Sequence, residues 1–113
     1  MRYALLVCVD EDEHPTAGER DRRRAAYVAL EDELEARGQF VSRERLRATE
    51  VSTTVRRRDG RLIVADGSFA ATNEQLAGFF IVECEDLDAA IELAAKIPAV
   101  DHGSIEVRPV WDM

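Results

Sequence analysis

The chain has 113 residues, 46% of them hydrophobic, which suits one globular domain with a real core and leaves no room for a second. A net charge of −8 opposes general nucleic-acid binding, because affinity for phosphate comes mainly from lysine and arginine. The apolar start, Met1–Asp10, is too short to span a bilayer and lacks a signal-peptide pattern, so a cytoplasmic protein with no membrane attachment is expected.

The first strand is Tyr3-Ala4-Leu5-Leu6-Val7-Cys8-Val9, apolar at every position, as a strand buried on both faces would be. An acidic loop, Asp10 to Glu13 with His14 and Pro15, follows it. Thr16 with Glu19 three residues later is a capping-box signature and predicts a helix from Ala17. Tyr27, Leu30 and Leu34 form its apolar stripe, and Gly38 is its natural stop.

Thr53–Arg58 and Arg61–Ala65 flank Asp59-Gly60, a pair that tolerates the positive φ angles of a tight hairpin turn. A polar loop over Asp66–Gln75 leads to a strand, Gly78–Cys84. Asp86 caps a second helix whose expected buried stripe is Leu87, Ala90, Ile91 and Ala94, with Pro98 ending it. Ser104–Val110 alternates apolar and polar, as a half-exposed strand does. The order is α+β, a split βαβ arrangement with an inserted β-hairpin strand.

Cys8 and Cys84 both sit inside apolar runs and read as buried, reduced thiols. No CxxC, HxxxH or HExxH spacing occurs, nor a P-loop, dinucleotide fingerprint or nucleophile elbow, so neither metal nor cofactor is expected. The arginine runs Arg20, Arg22, Arg23, Arg24 and Arg56, Arg57, Arg58, Arg61 are broken by acids and lack interleaved aromatics; they read as solvated faces.

Two helices cover only one face of such a sheet, yet the strands around Leu5-Leu6-Val7 and Phe79-Phe80-Ile81-Val82 are apolar on both sides. An uncovered face of that kind exceeds the apolar patch a soluble monomer usually tolerates. A second copy packed sheet to sheet about a two-fold axis covers it, so a homodimer is expected.

The segment Asp66-Gly67-Ser68-Phe69-Ala70, then Thr72, Glu74-Gln75-Leu76, Gly78, Asp86–Ala90, Ile97-Pro98-Ala99 and Gly103–Val110 resembles the DGPF subgroup of the YCII-related family. The opening Met1–Leu6 and the Thr53–Asp59 segment look like it too. The resemblance implies a ferredoxin-like subunit that forms a dimeric α+β barrel, and a His–Asp pair as the site of chemistry. It also implies that a sigma factor is often encoded nearby. Ser68 stands where the subgroup has proline, and Ala71 where an acid is common.

Among residues able to carry chemistry, His14 follows the first strand and is one of two histidines, a residue type that changes charge near neutral pH and suits proton transfer. Asp66 ends the hairpin, with Gly67 letting the chain turn behind it; it is expected to orient a histidine or ligand, or else simply to form a turn. His14 and Asp66 are therefore the candidate catalytic pair. Ser68, Thr72, Glu74 and Gln75 offer hydrogen bonds in the same loop, although Gln75 reaching back to a turn at Thr72 is an equal reading. His102, beside Asp101, and Arg108, beside Glu106, complete the candidate ligand-binding set; a cross-strand ion pair is the structural alternative for Arg108.

Two classes of function remain. One is a cofactor-free enzyme or binding protein with a pocket between helices and sheet, moving a proton, eliminating or isomerising on a small organic acid or lactone. The other is a non-catalytic regulatory partner, of a sigma factor for example.

Overall fold

The computed structural model describes residues 1–70 and 72–111; Ala71 lies outside the described residues. The elements in chain order are β1 (Arg2–Val9), α1 (Ala17–Ala36), β2 (Phe40–Arg45), β3 (Thr53–Arg58), β4 (Arg61–Asp66), β5 (Gln75–Glu83), α2 (Leu87–Ala94) and β6 (Ser104–Pro109). The main sheet is antiparallel with strand order β2-β5-β1-β6. Strand β5 lies between the ends of the β1-α1-β2 unit, and β1 lies between the ends of the β5-α2-β6 unit. This interleaving is the ferredoxin-like α+β arrangement.

Local chemistry sets the helix ends as the sequence predicts. Thr16 caps α1, accepting the Glu19 N–H at 3.1 Å, and its hydroxyl meets the Glu19 carboxylate at 3.1 Å. Gly38 closes the helix with φ +69°. Asp86 caps α2 through the Ala89 N–H at 2.9 Å. Asp59 and Gly60 both take positive φ, the geometry of a type I′ turn.

Three features differ from the sequence reading. The fourth strand of the main sheet is β2, Phe40-Val41-Ser42-Arg43-Glu44-Arg45, whose charged residues hide its extended character. Its pairing with β5 holds it, flanked by backbone hydrogen bonds from Glu83 N–H to the Gln39 carbonyl and from Leu46 N–H to the Ala77 carbonyl, each 2.8 Å. Secondly, the β3–β4 hairpin contributes no strand to that sheet and forms a two-stranded sheet of its own. Thirdly, α2 is rotated from the expected phase: Ala90, Leu93 and Ala94 are buried, whereas Leu87 and Ile91 are each 49% exposed.

The core lies between the helices and one face of the sheet. Tyr3, Leu5 and Val7 of β1 and Phe80 and Val82 of β5 meet Leu30 and Leu34 of α1, the buried face of α2, and Ile97 and Ala99. The opposite sheet face carries Ala4, Leu6 and Cys8 of β1 beside Phe79 and Ile81 of β5, because alternate residues of a strand point to opposite faces. No helix of the described residues is long and apolar enough to cross a membrane. Cys8 and Cys84 are free thiols, and burial pushes both above the ordinary cysteine range.

Gly103 has a specific role. A Cβ there would lie 2.3 Å from the Cys8 carbonyl oxygen, so only glycine lets the chain enter β6 this close to β1. Its neighbour His102 is positioned by that close approach.

Leu93→Ala should cost about 2–5 kcal/mol, the range for emptying a packed core position, while Ile91→Ala stays within about 0.5 kcal/mol. Urea unfolding of the two variants checks the helix phase, and equal losses would contradict it. Cys84 should react with a thiol reagent far more slowly in the native than in the unfolded protein, since its thiol is both buried and protonated.

Candidate functional site

The stripe that packs α1 on the sheet changes character along the helix. Leu34 and Leu30 are buried, Tyr27 is half-buried, and the preceding turns place Arg24, Arg23 and Arg20 where a fully packed helix would carry leucine. The N-terminal half of α1 therefore stands over the sheet without sealing against it. The result is a cleft of about 640 Å³, lined by that half of α1, by Arg43 and Arg45 of β2, by Ala77, Gly78 and Phe80 of β5, by Val7 and Val9 of β1, and by His102. Its volume falls within the usual range for small-molecule sites.

The floor is an ordered stack. The Tyr27 and Phe80 rings lie 6.3 Å apart and nearly parallel. The Arg43 guanidinium covers both, 4.5 Å from the Tyr27 centroid and 5.1 Å from that of Phe80, and it pairs with Glu31 at 3.2 Å. Burial raises the Tyr27 phenol above its ordinary value against the pull of the Arg43 cation, so it stays a neutral hydroxyl. Gly78 has a structural part here: a Cβ would stand 2.7 Å from the Glu44 carbonyl oxygen, and its absence lets β2 approach β5 where Arg45 enters the cleft wall.

At the mouth, His102 Nε2 lies 3.9 Å from the Glu13 carboxylate, and Arg23 holds the same carboxylate at 2.6 Å. The hydrogen bond from Arg23 keeps the Glu13 carboxyl below the ordinary carboxylate range, and His102, when protonated, acts in the same direction. His102 is 20% exposed at its side chain, so its ring is held between protein and solvent. A carboxylate held by an arginine thus stands close to the imidazole, though beyond direct hydrogen-bond distance.

His14 is exposed in the loop before α1 and does not line this cleft. Asp66 is exposed at the end of β4, opposite Thr53, and belongs to a smaller depression of about 220 Å³ on the hairpin with Arg56, Arg58 and Ser68. The loop after it uses its polar groups on itself. The Ser68 hydroxyl donates to the Ala70 carbonyl at 2.8 Å and that of Thr72 to the Glu74 carbonyl at 2.7 Å, while the Gln75 amide reaches back to the Ala70 and Thr72 carbonyls. The Ser104 hydroxyl donates to Glu74 at 2.6 Å. Arg108 pairs with Glu106 along the same strand rather than across strands, and both are exposed. Of the candidate residues, only His102 lines the larger cleft.

Sequence reasoning missed Glu13, Tyr27 as a site residue, Arg43 and Arg45, and it read Arg20, Arg23 and Arg24 as a solvated face. One signal was available: extended one and two turns toward the N-terminus, the stripe of Tyr27, Leu30 and Leu34 arrives at those arginines. The chain carries a net −8, yet five arginines against Glu31 and Glu44 line this cleft.

The model of the YCII-related domain matches residues 1–113. An uncharacterised protein of Rhizobium meliloti (strain 1021) is 33% identical over 114 residues, a match that covers 97% of this chain and 92% of that protein. With a family match over residues 1–113 and a relative at that identity, the chain belongs to the YCII-related family.

Proposed function

We propose that this protein is a homodimeric, cofactor-independent enzyme that moves a proton on a small organic acid or lactone, with His102 as the base and Glu13 as the group that orients it. The observation that carries this reading is the placement of His102, 3.9 Å from Glu13, at the mouth of a cleft of about 640 Å³ whose wall is rich in arginine. An imidazole accepts the proton, the carboxylate fixes its ring, and the arginines stabilise the negative charge that develops on an enolate or enediolate oxygen. Arg23 acts through Glu13: by holding that carboxylate it keeps the orienting group ionised. The Asp66-Gly67-Ser68-Phe69 segment supports the DGPF subgroup as the branch of the family to which the chain belongs.

Two features support the dimer. The sheet face opposite the helices carries Leu6, Phe79 and Ile81, and no helix of the described residues lies over it. The molecule is also flat, with extents of 48 × 43 × 18 Å and a radius of gyration of 16.1 Å, whereas a compact domain of this length would have about 13 Å. Its hairpin leaves Val55, Leu62, Ile63 and Val64 all 46% exposed or more, and an isolated two-stranded hairpin is marginal in water. A second copy covers the sheet face and gives the hairpin something to rest on.

Light scattering at micromolar concentration should return the mass of two chains, and Ile81→Glu should give a folded monomer, because Ile81 lies on the open face away from the core. A monomeric parent protein would overturn the dimer.

The chemistry is tested by proton NMR of small α-acidic carboxylic acids and lactones in deuterium oxide. The protein should catalyse exchange of the acidic C–H, and His102→Gln should lower that rate by about 10²-fold or more, the usual contribution of a positioned general base. Glu13→Gln should lower it less, and His14→Gln should leave it unchanged. Exchange that survives undiminished in His102→Gln contradicts the assignment.

A further inference from the structure

We infer that the ligand of this cleft is an organic dianion, held by the arginines that no carboxylate of the described residues pairs, Arg20 and Arg24 of α1 on one bank and Arg45 of β2 on the other. This inference rests on the acid–base reading of the same cleft and assigns it a substrate class.

The five arginines divide into two groups by what they already do. Arg23 is bound to Glu13 at 2.6 Å and approaches Glu19 at 3.8 Å. Arg43 is paired with Glu31 and stacked on Tyr27 and Phe80. Both are already committed to partners within the chain. Arg20, Arg24 and Arg45 form no ion pair among the described residues, although the chain is rich in carboxylates and elsewhere pairs Arg37 with Glu33, Lys96 with Glu33 and Arg108 with Glu106. They also line a concavity rather than a convex surface, and low-dielectric walls there focus their field outward to an approaching anion.

Their placement sets the number of charges. Arg20 and Arg24 are one helical turn apart and share a face of α1. Arg45 ends β2 on the sheet side, opposite Gly78. A ligand with a single carboxylate satisfies one bank and leaves the other cationic and unpaired. One with two anionic groups, or a single doubly charged group, neutralises more of the surplus. Between the banks the lining is apolar, with Val7, Val28 and Phe80, which suits a short carbon skeleton. His102 lines the same cleft. Two chemistries share these features: a dicarboxylate, and a molecule bearing a phosphoryl group.

The test is isothermal titration of the full chain with succinate, inorganic phosphate and acetate at low ionic strength. At least one dianion should bind about tenfold or more tightly than acetate, and the affinity should fall as salt is added. A preference for succinate identifies a dicarboxylate, and a preference for phosphate a phosphorylated ligand. Arg24→Ala and Arg45→Ala should each weaken the preferred dianion by about tenfold, the effect of losing one charge-assisted hydrogen bond, while Arg22→Ala, on another face of α1, leaves it unchanged. Arg45→Lys keeps the charge and should recover only part of the loss, since a lysine cannot offer the planar fork. Acetate binding as well as both dianions, absence of any dianion binding, or equal losses in Arg22→Ala and Arg24→Ala overturns the inference. The acid–base reading stands apart from it: proton exchange that depends on His102 and is indifferent to Arg24→Ala and Arg45→Ala would retain the chemistry and discard the dianion.

Discussion

The cleft exists because α1 is fastened to the sheet by only half its length. Leu30 and Leu34 are buried against β1 and β5, and Tyr27 makes the last contact by stacking on Phe80. Beyond that ring the helix carries Arg24, Arg23 and Arg20, whose charges cannot be taken out of water against the apolar strand residues Val7 and Val9. The Tyr27–Phe80 stack, clamped by Arg43 and through it by Glu31, is therefore the boundary between a packed core and an open concavity. Everything assigned to the site depends on where that boundary falls.

Two close backbone approaches carry the consequence to the opposite walls. Gly78 lets β2 lie against β5 so that Arg43 reaches the stack and Arg45 the wall beyond it. Gly103 lets β6 begin hard against β1, which sets His102 beside the loop that carries Glu13. The imidazole and its carboxylate come from opposite ends of the chain and meet only because β6 and β1 are neighbours in the sheet. The same sheet turns its other face, with Leu6, Phe79 and Ile81, away from both helices. One layer of helices thus defines both the cleft and the surface on which the proposed dimer rests.

The parts of this fold that were legible in the sequence are those decided by a few adjacent residues. Thr16 with Glu19, Asp86, and Asp59-Gly60 each dictate a local geometry that needs no tertiary support. Strand β2 was not legible, because half its residues are charged and its extension comes from pairing with β5 rather than from its own pattern. The phase of α2 was ambiguous for the opposite reason: Leu87, Ala89, Ala90, Ile91, Leu93 and Ala94 crowd apolar residues onto nearly every side of a short helix, so the period cannot choose a face. At the site, proximity to the first strand favoured His14 over His102, and a glycine behind Asp66 favoured it over Glu13. Neither cue reports which elements become neighbours. The arginines of α1 were readable in principle, as a continuation of the buried stripe, but their charge argued for solvent, and a cleft satisfies both tendencies at once.

The protein contains two histidines, one at the cleft and one outside it, and this gives a direct test of where the functional site lies. Proton NMR of the two imidazole rings during titration with the more tightly bound of succinate and inorganic phosphate resolves them, with His14→Gln supplying the assignment. The His102 signals should move in a saturable way while those of His14 stay in place. Saturable movement of His14 with His102 unmoved would contradict a site at the cleft and return it to the loop after β1.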